Sequence, residues 1–172
     1  MNFEEKTINK NTIYQGKILN LRKDEVSLCN GVKSIREIVE HSGGSCVLCE
    51  KDGKILFVKQ YRYAYQKELL EIPAGKKNPN ESAEQTAIRE LREETGLLAK
   101  NIKLLYEVYP SPGYTNEVIK IFYANQFEQG ETCLDEDEFL SCEWIEKDKV
   151  KTMLKNGEFK DAKTLIALLH LL

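Results

Sequence analysis

Residues 75 to 97 read GKKNPNESAEQTAIRELREETGL, and no other stretch of the chain restricts its structure so closely. A glycine, a lone glutamate and a dense Arg-Glu-Leu-x-Glu-Glu-x-Gly-Leu cluster stand at fixed offsets. From Asn80 to Thr95 the pattern is helical, with Ala83, Ala87, Ile88 and Leu91 forming an apolar stripe. Ser82 or Asn80 can serve as the N-cap, and Gly96 fits as the C′ glycine. Glu90, Glu93 and Glu94 then fall within one turn, on a face other than the stripe. Like charges that close repel. A hard divalent cation, bound through oxygen, makes such a cluster favourable. The segment is therefore a candidate catalytic site carried on a helix.

With 172 residues the chain can form one domain with a sizeable core, or one domain plus a small extension. A net charge of -3 argues against a nucleic-acid surface, which usually carries a basic stripe. It leaves room for a small anionic substrate, because a bound metal reverses the local field. No run of 18 apolar residues marks a transmembrane helix, so no membrane partner is expected. The first residues, MNFEEKTINK, lack the apolar region of a secretory signal, and a cytoplasmic location is the expectation.

Five cysteines, Cys29, Cys46, Cys49, Cys133 and Cys142, are expected to be reduced thiols. Cys46 and Cys49 form a C-x-x-C inside SCVLCE, an apolar run that reads as a strand. Residues three apart on a strand point to opposite faces. One metal could not easily take both, and packing is the expected role.

The N-terminal 40 residues read as short strands. Alternation in IYQGKILNLRKDEVSL, a turn at Asn30-Gly31 and a return strand in KSIREIVEH suggest a small antiparallel sheet. Ser42-Gly43-Gly44 marks a boundary, giving an expected division into residues 1–41 and 42–172. CVLCE and KILFVKQYRY form a hairpin through Lys51-Asp52-Gly53, and Glu68 to Ile72 is a short strand ended by Pro73. Strands are expected at 104–108, 118–124 and 141–145, and closing helices at 148–156 and 162–172. The last helix would present Leu165, Ile166, Leu169 and Leu172 along one face. Strands on both sides of a central helix, with helices at the end, point to an α/β chain with helices on both faces of a mixed sheet.

Gly75, Glu81, Arg89-Glu90-Leu91, Glu93-Glu94 and Gly96-Leu97 together match the Nudix box without a departure, and the chain resembles the Nudix hydrolase family. The resemblance implies a Nudix α/β/α sandwich with a mixed sheet, preceded by the small N-terminal sheet. It implies that the carbonyl of Ala74 and the carboxylates of Glu90 and Glu94 are metal ligands. Glu93 would hold a second ion or its water, and Gly75, Glu81 and Arg89 would support the loop and helix. Mg²⁺, with Mn²⁺ as an alternative, would bridge the oxygens of a diphosphate and lower the pKa of a bound water. An isolated acidic helix face is usually a solvated one. The glycines, Glu81 and Arg89 at their offsets outweigh that reading.

The box does not name the substrate. Pro112, 15 residues past the box, resembles the ADP-ribose pyrophosphatase branch, although Ser-Pro-Gly is also an ordinary turn. Stretches from Glu4-Glu5-Lys6-Thr7 to Asp161-Ala162-Lys163-Thr164 look like the same branch. Arg36 and Arg62 are candidates for holding the diphosphate or the adenosine side, since guanidinium suits phosphate. Glu37 would accept from the adenine amino group; a surface cross-strand pair is the alternative for Arg36 and Glu37. Tyr61, Tyr63 and Tyr65 would either stack on a base or pack in the core. The acidic run Asp135 to Glu138 resembles the loop that supplies a general base, with Glu138 first and Glu136 second. His41 and His170 read as structural. The expected reaction is hydrolysis of ADP-ribose to AMP and ribose 5-phosphate by a homodimer whose N-terminal sheet swaps toward its partner. A Nudix enzyme for GDP-mannose or a dinucleoside polyphosphate, and a non-catalytic ADP-ribose-binding module, stand as alternatives.

Overall fold

A computed structural model describes residues 2–136 and 138–172; Asp137, within the acidic run, lies outside the described residues. The chain divides into two units. One runs up to Gly43 and includes Tyr109–Val118; the other is Gly44–Val108 with Ile119–Leu172.

In the first unit, β1 (Lys6–Gln15), β2 (Asn20–Ser27) and β3 (Lys33–Glu40) form an antiparallel sheet in that order. The turn between β2 and β3 carries Gly31 at φ +84°, a left-handed conformation that costs glycine little. Asn30 closes the turn by accepting from the Val32 N–H at 3.0 Å. Asp24 is 2% exposed. The Nε of Arg22 donates to both of its carboxylate oxygens, at 2.8 and 2.9 Å, and Arg22 also pairs with Glu40. The 109–118 segment joins the sheet edge, where the Val39 N–H donates to Tyr114 O at 2.7 Å.

The second unit is built on β4 (Gly44–Lys51) and β5 (Lys54–Arg62). Their sequences are near-continuous apolar runs because both faces are covered. The main sheet has the order β12-β5-β4-β10-β9, with β10 (Ile119–Ala124) parallel to β4 and antiparallel to β9 (Lys103–Val108). The edge strand β12 is Leu140–Glu146. Two short strands extend the sheet: β6 (Lys67–Glu71) on β5 and β7 (Ala74–Lys76) on β4. A separate ribbon pairs β8 (Leu97–Ala99) with β11 (Phe127–Gln129). Alternation along β4 divides the core. Cys46 and Leu48 pack with α2 (Lys147–Lys155), Phe159 and α3 (Ala162–Leu168). Val47 and Cys49 pack with α1 (Ala83–Thr95) on the opposite face. The two cysteines of the C-x-x-C thus lie on opposite sides of the sheet, and burial raises both thiols well above the ordinary range. The result is an α/β/α sandwich on a mixed sheet.

Three expectations need correction. The helix starts at Ala83 rather than Asn80: Ser82 accepts from Gln85 N and Gln85 answers from its side chain, a capping box. Asn80 sits at φ +64° in the preceding turn. The final helix ends at Leu168 and continues only as a 3₁₀ turn, Leu169–Leu171. Its buried face is Thr164, Ala167, Leu168 and Leu171, while Leu169 and Leu172 are exposed. The tighter last turn rotates the terminal leucines away from the line expected of a continuous α-helix. Tyr61, Tyr63 and Tyr65 are exposed and take no part in a core.

Candidate functional site

Helix α1 lies on the sheet through Ala87 and Leu91, both fully buried. At 100° per residue, Glu94 falls almost in line with them. It is 3% exposed, so it sits on the packed face and not on the separate face expected from sequence. Its Oε2 accepts from the Ala74 N–H at 3.0 Å. Burial, above all, pushes the Glu94 carboxyl up to about 8; the Ala74 N–H opposes this, and the charges of Glu138 and Glu90 add to it. A neighbouring Lys163 pulls the other way.

Glu90 lies against β7, the short strand that precedes the helix and stands where a tight turn reads from the sequence. A Cβ placed on Gly75 would stand 1.8 Å from Glu90 Cδ and 2.1 Å from each carboxylate oxygen. Gly75 thus leaves the space that the Glu90 carboxylate fills. Burial raises the Glu90 carboxyl, against the pull of Arg89, and the charges of Glu93 and Glu138 raise it further.

Arg89 ties the acidic groups together. Its Nε donates to Glu81 Oε1 at 2.8 Å, and Nη2 donates to Glu81 Oε2 and to the Lys76 carbonyl, each at 3.0 Å. Nη1 reaches Glu90 at 2.7 Å and Glu93 at 2.8 Å. These bonds hold the Glu81 carboxyl down at about 2, chiefly through Arg89 itself. Glu81 also accepts from the Asn78 N–H and the Thr86 hydroxyl, fixing the loop that enters the helix.

Among the described residues, no three acidic, histidine or cysteine side chains already form a metal cage. The donors nevertheless fit a hard divalent cation. Two carboxylates, Glu90 and Glu94, are shielded from water and raised by that burial; Glu90 adds to the rise at Glu94, and a third carboxylate, Glu138, acts on both. Such an ion needs only one or two carboxylates, with the remaining oxygens supplied by backbone, water and phosphate.

Of the candidate bases, Glu138 is half-buried, and its charge bears on Glu90 and Glu94. Its N–H donates to Asp135 O at 3.0 Å, and Glu136 is exposed in the same turn. Arg36, on β3, donates from Nε and Nη2 to Glu5 at 2.9 and 2.5 Å. Its neighbour Glu37 faces Lys23 in the β2–β3 register. Pro112 lies in an exposed turn of the 109–118 segment. Arg62, at the end of β5, forms a two-pronged pair with Glu71, both contacts 2.7 Å. His41 accepts from the Gly43 N–H, and His170 packs on Tyr123, so each has a structural partner.

Sequence reasoning assigned no role to Glu71, Asp161 or Lys163. Glu71 is 2% exposed and bonded by both Arg62 and Lys163. The available signal was a charged residue at the end of a strand, directly before the Ile-Pro step.

Comparison with known proteins adds two domain matches. The NUDIX domain matches residues 40–168. The nucleoside diphosphate sugar hydrolase N-terminal domain matches residues 5–39. A Bacillus subtilis (strain 168) protein named ADP-ribose pyrophosphatase is 41% identical over 171 residues, covering 98% of this chain and 92% of its own. A Bacillus methanolicus protein named methanol dehydrogenase activator is 39% identical over 172 residues, covering 98% and 93%. A solved structure described as an ADP compounds hydrolase superposes with a TM-score of 0.86, covering 98% of this chain and 93% of its own. At 20% identity that last likeness is one of fold.

Proposed function

We propose that this chain, which belongs to the NUDIX domain family, hydrolyses the diphosphate of ADP-ribose to AMP and ribose 5-phosphate with Mg²⁺. The single observation that carries the reading is geometric: the Glu90 carboxylate fills the space above Gly75, and the buried Glu94 carboxylate accepts from the N–H of the adjacent Ala74. The full-length likeness to a protein named ADP-ribose pyrophosphatase favours ADP-ribose over other nucleoside diphosphates.

Glu90, Glu94 and the Ala74 carbonyl would hold the ion, with Glu93 completing a second position. When bound, a divalent cation neutralises diphosphate charge and acidifies water. Arg89 keeps Glu90 and Glu93 in fixed rotamers, and Glu81 anchors Arg89. Glu138 takes the proton from the attacking water, with Glu136 as the substitute base. The water oxygen bonds one phosphorus as that phosphorus loses its bond to the bridging oxygen, which departs on the other phosphate, and the products are AMP and ribose 5-phosphate. Arg62 contacts the diphosphate. Arg36 and Glu37 recognise the nucleoside, and Pro112 shapes a substrate loop.

The N-terminal strands, residues 1–41 with the catalytic part from 42, are assigned to dimerisation. Ile8, Ile13 and Tyr14 of β1 are exposed and consistent with that assignment. Light scattering after gel filtration tests it, with a dimer mass expected.

The decisive experiment is kcat/KM across ADP-ribose, GDP-mannose and a dinucleoside polyphosphate, with Mg²⁺, Mn²⁺ and EDTA arms. ADP-ribose is expected to lead, and EDTA to abolish turnover. Another compound leading by tenfold overturns the substrate, and full activity in EDTA overturns the metal site.

A further inference from the structure

We propose that Glu71, backed by Lys163 and Asp161, is a positioning residue that aims the Arg62 guanidinium at an anionic group of the substrate. This deepens the proposed function and rests on its reading of Arg62 as a diphosphate contact.

The geometry is that of a mount. Glu71 is almost fully enclosed, whereas the Arg62 side chain is 40% exposed. Nε donates to one carboxylate oxygen and Nη2 to the other, both at 2.7 Å. A two-pronged planar fork of this kind fixes direction as well as distance. Nη1 takes no part in the fork.

The carboxylate is in turn fixed from behind. Lys163 Nζ donates to Glu71 Oε2 and pairs with Asp161 Oδ1 at 3.0 Å. Asp161 caps α3, accepting from the Thr164 N–H at 2.9 Å and its hydroxyl at 2.6 Å. The same Thr164 hydroxyl accepts from the Ile72 N–H at 3.0 Å. Two residues on, the Ala74 N–H bonds Glu94. The segment from Glu71 to Ala74, which joins β6 to β7, is therefore pinned between the first turn of α3 and the carboxylate of α1. Arg62 also feels the Glu94 charge, which puts it at the acidic end of this unit. Lys163 is shared between Glu71 and Asp161, so the two carboxylates are matched by Lys163 and Arg62 together, and Arg62, with its side chain 40% exposed, is the member of this set that can also meet a substrate anion in a fixed pose.

The test compares Arg62→Ala, Glu71→Gln, their double variant and Lys163→Met by steady-state kinetics on ADP-ribose, with thermal scans confirming folding. R62A is expected to raise KM at least tenfold. E71Q is expected to raise KM about fivefold with kcat within twofold of wild type. The double variant should be no worse than R62A alone, because the two residues act as one unit. Lys163→Met keeps the fork and removes its rear support, and about a threefold rise in KM is expected. Failure of R62A to change KM overturns the reading of Arg62 itself. A tenfold effect of R62A with wild-type KM in folded E71Q, or additive losses in the double variant, overturns the positioning role alone. Should E71Q not fold, a folded K163M with wild-type KM overturns that role too.

Discussion

Replacing Gly75 with alanine should remove most activity while leaving the fold in place. The new Cβ would stand 1.8 Å from Glu90 Cδ, where ordinary contact begins near 3.4 Å. The carboxylate must therefore withdraw by about 1.5 Å. The backbone accepts alanine, since Gly75 is not among the positive-φ glycines. The displaced atoms are the end of a flexible side chain, and the main loss is the 2.7 Å pair from Arg89 to Glu90. Partly exposed pairs of this kind contribute up to about 1 kcal/mol. For a chain of this size that is a fall in Tm of about 2–4 °C. The chemistry is far less tolerant. A misplacement of about 1 Å in a reacting constellation costs about 100-fold, or roughly 2.7 kcal/mol of transition-state stabilisation. The assay is kcat/KM on ADP-ribose at saturating Mg²⁺ beside a thermal scan. Retention of more than a third of wild-type kcat/KM would refute the idea that Glu90 needs the space above Gly75. A fall in Tm beyond about 10 °C would show that Gly75 serves the fold instead.

Glu94→Gln should leave less than about 1% of turnover, with modest loss of fold, and should also remove the rise in Tm produced by Mg²⁺; an unaltered rate would refute the metal-site reading. Glu71 gives a pH signature. Burial alone would raise its carboxyl, but Arg62 and Lys163 more than reverse this and hold it at about 2 against an ordinary 4.5. Its contribution, about 3 kcal/mol, is complete above pH 4.5 and lost as pH falls through 2. Glu71→Gln should therefore melt about 6–12 °C below wild type at pH 7, with the gap closing between pH 4.5 and 2; a gap independent of pH would contradict this. Ser45 carries a buried hydroxyl with no hydrogen-bond partner among the described residues. Ser45→Ala should leave stability unchanged or raise it by about 1 kcal/mol in urea titration, and a loss of that size would mean the hydroxyl is bonded in solution.

The parts legible in the sequence were those with a short-range physical cause. The apolar runs of β4 and β5, the Asp52-Gly53 turn and the capped helix each announce themselves within a few residues. Strand β1 does not. KTINKNTIYQ lacks alternation, all ten residues are exposed, and it is held by pairing with β2 through two register shifts. The ribbon of β8 with β11 joins two three-residue segments almost 30 positions apart, so neither has a local signature. Within the site, the box residues were legible because their spacing is a helix period joined to a glycine at a fixed offset before it, a glycine that lies in β7. The burial of Glu94 was not, since it depends on which side of α1 the sheet covers. The Arg62–Glu71–Lys163–Asp161 chain joins a strand pair to a helix start 92 residues later, a separation that periodicity cannot bridge.

The distribution of charge also says which part of the acidic cluster most needs a cation. Arg89 serves Glu81, Glu90 and Glu93 at once, so those three carboxylates share one guanidinium. Glu94 has no such partner among the described residues; its hydrogen bond is to a backbone N–H. The cations on its other side, Arg62 and Lys163, are already bonded to Glu71, and Lys163 to Asp161 as well. Glu138 adds a further negative charge to Glu94 and Glu90. The unmet demand for a cation therefore centres on Glu94, whose buried carboxyl holds its proton up to about pH 8, and not on Glu93, which lies at the Arg89 end. A first divalent ion beside Glu94 takes the place of that proton, and a second, near Glu93, gains less because Arg89 already neutralises that side. Titration calorimetry with Mg²⁺ should accordingly resolve a tighter site abolished by Glu94→Gln and a weaker one altered by Glu93→Gln. Loss of the tighter site in Glu93→Gln, with Glu94→Gln unaffected, would reverse the order deduced from the charges.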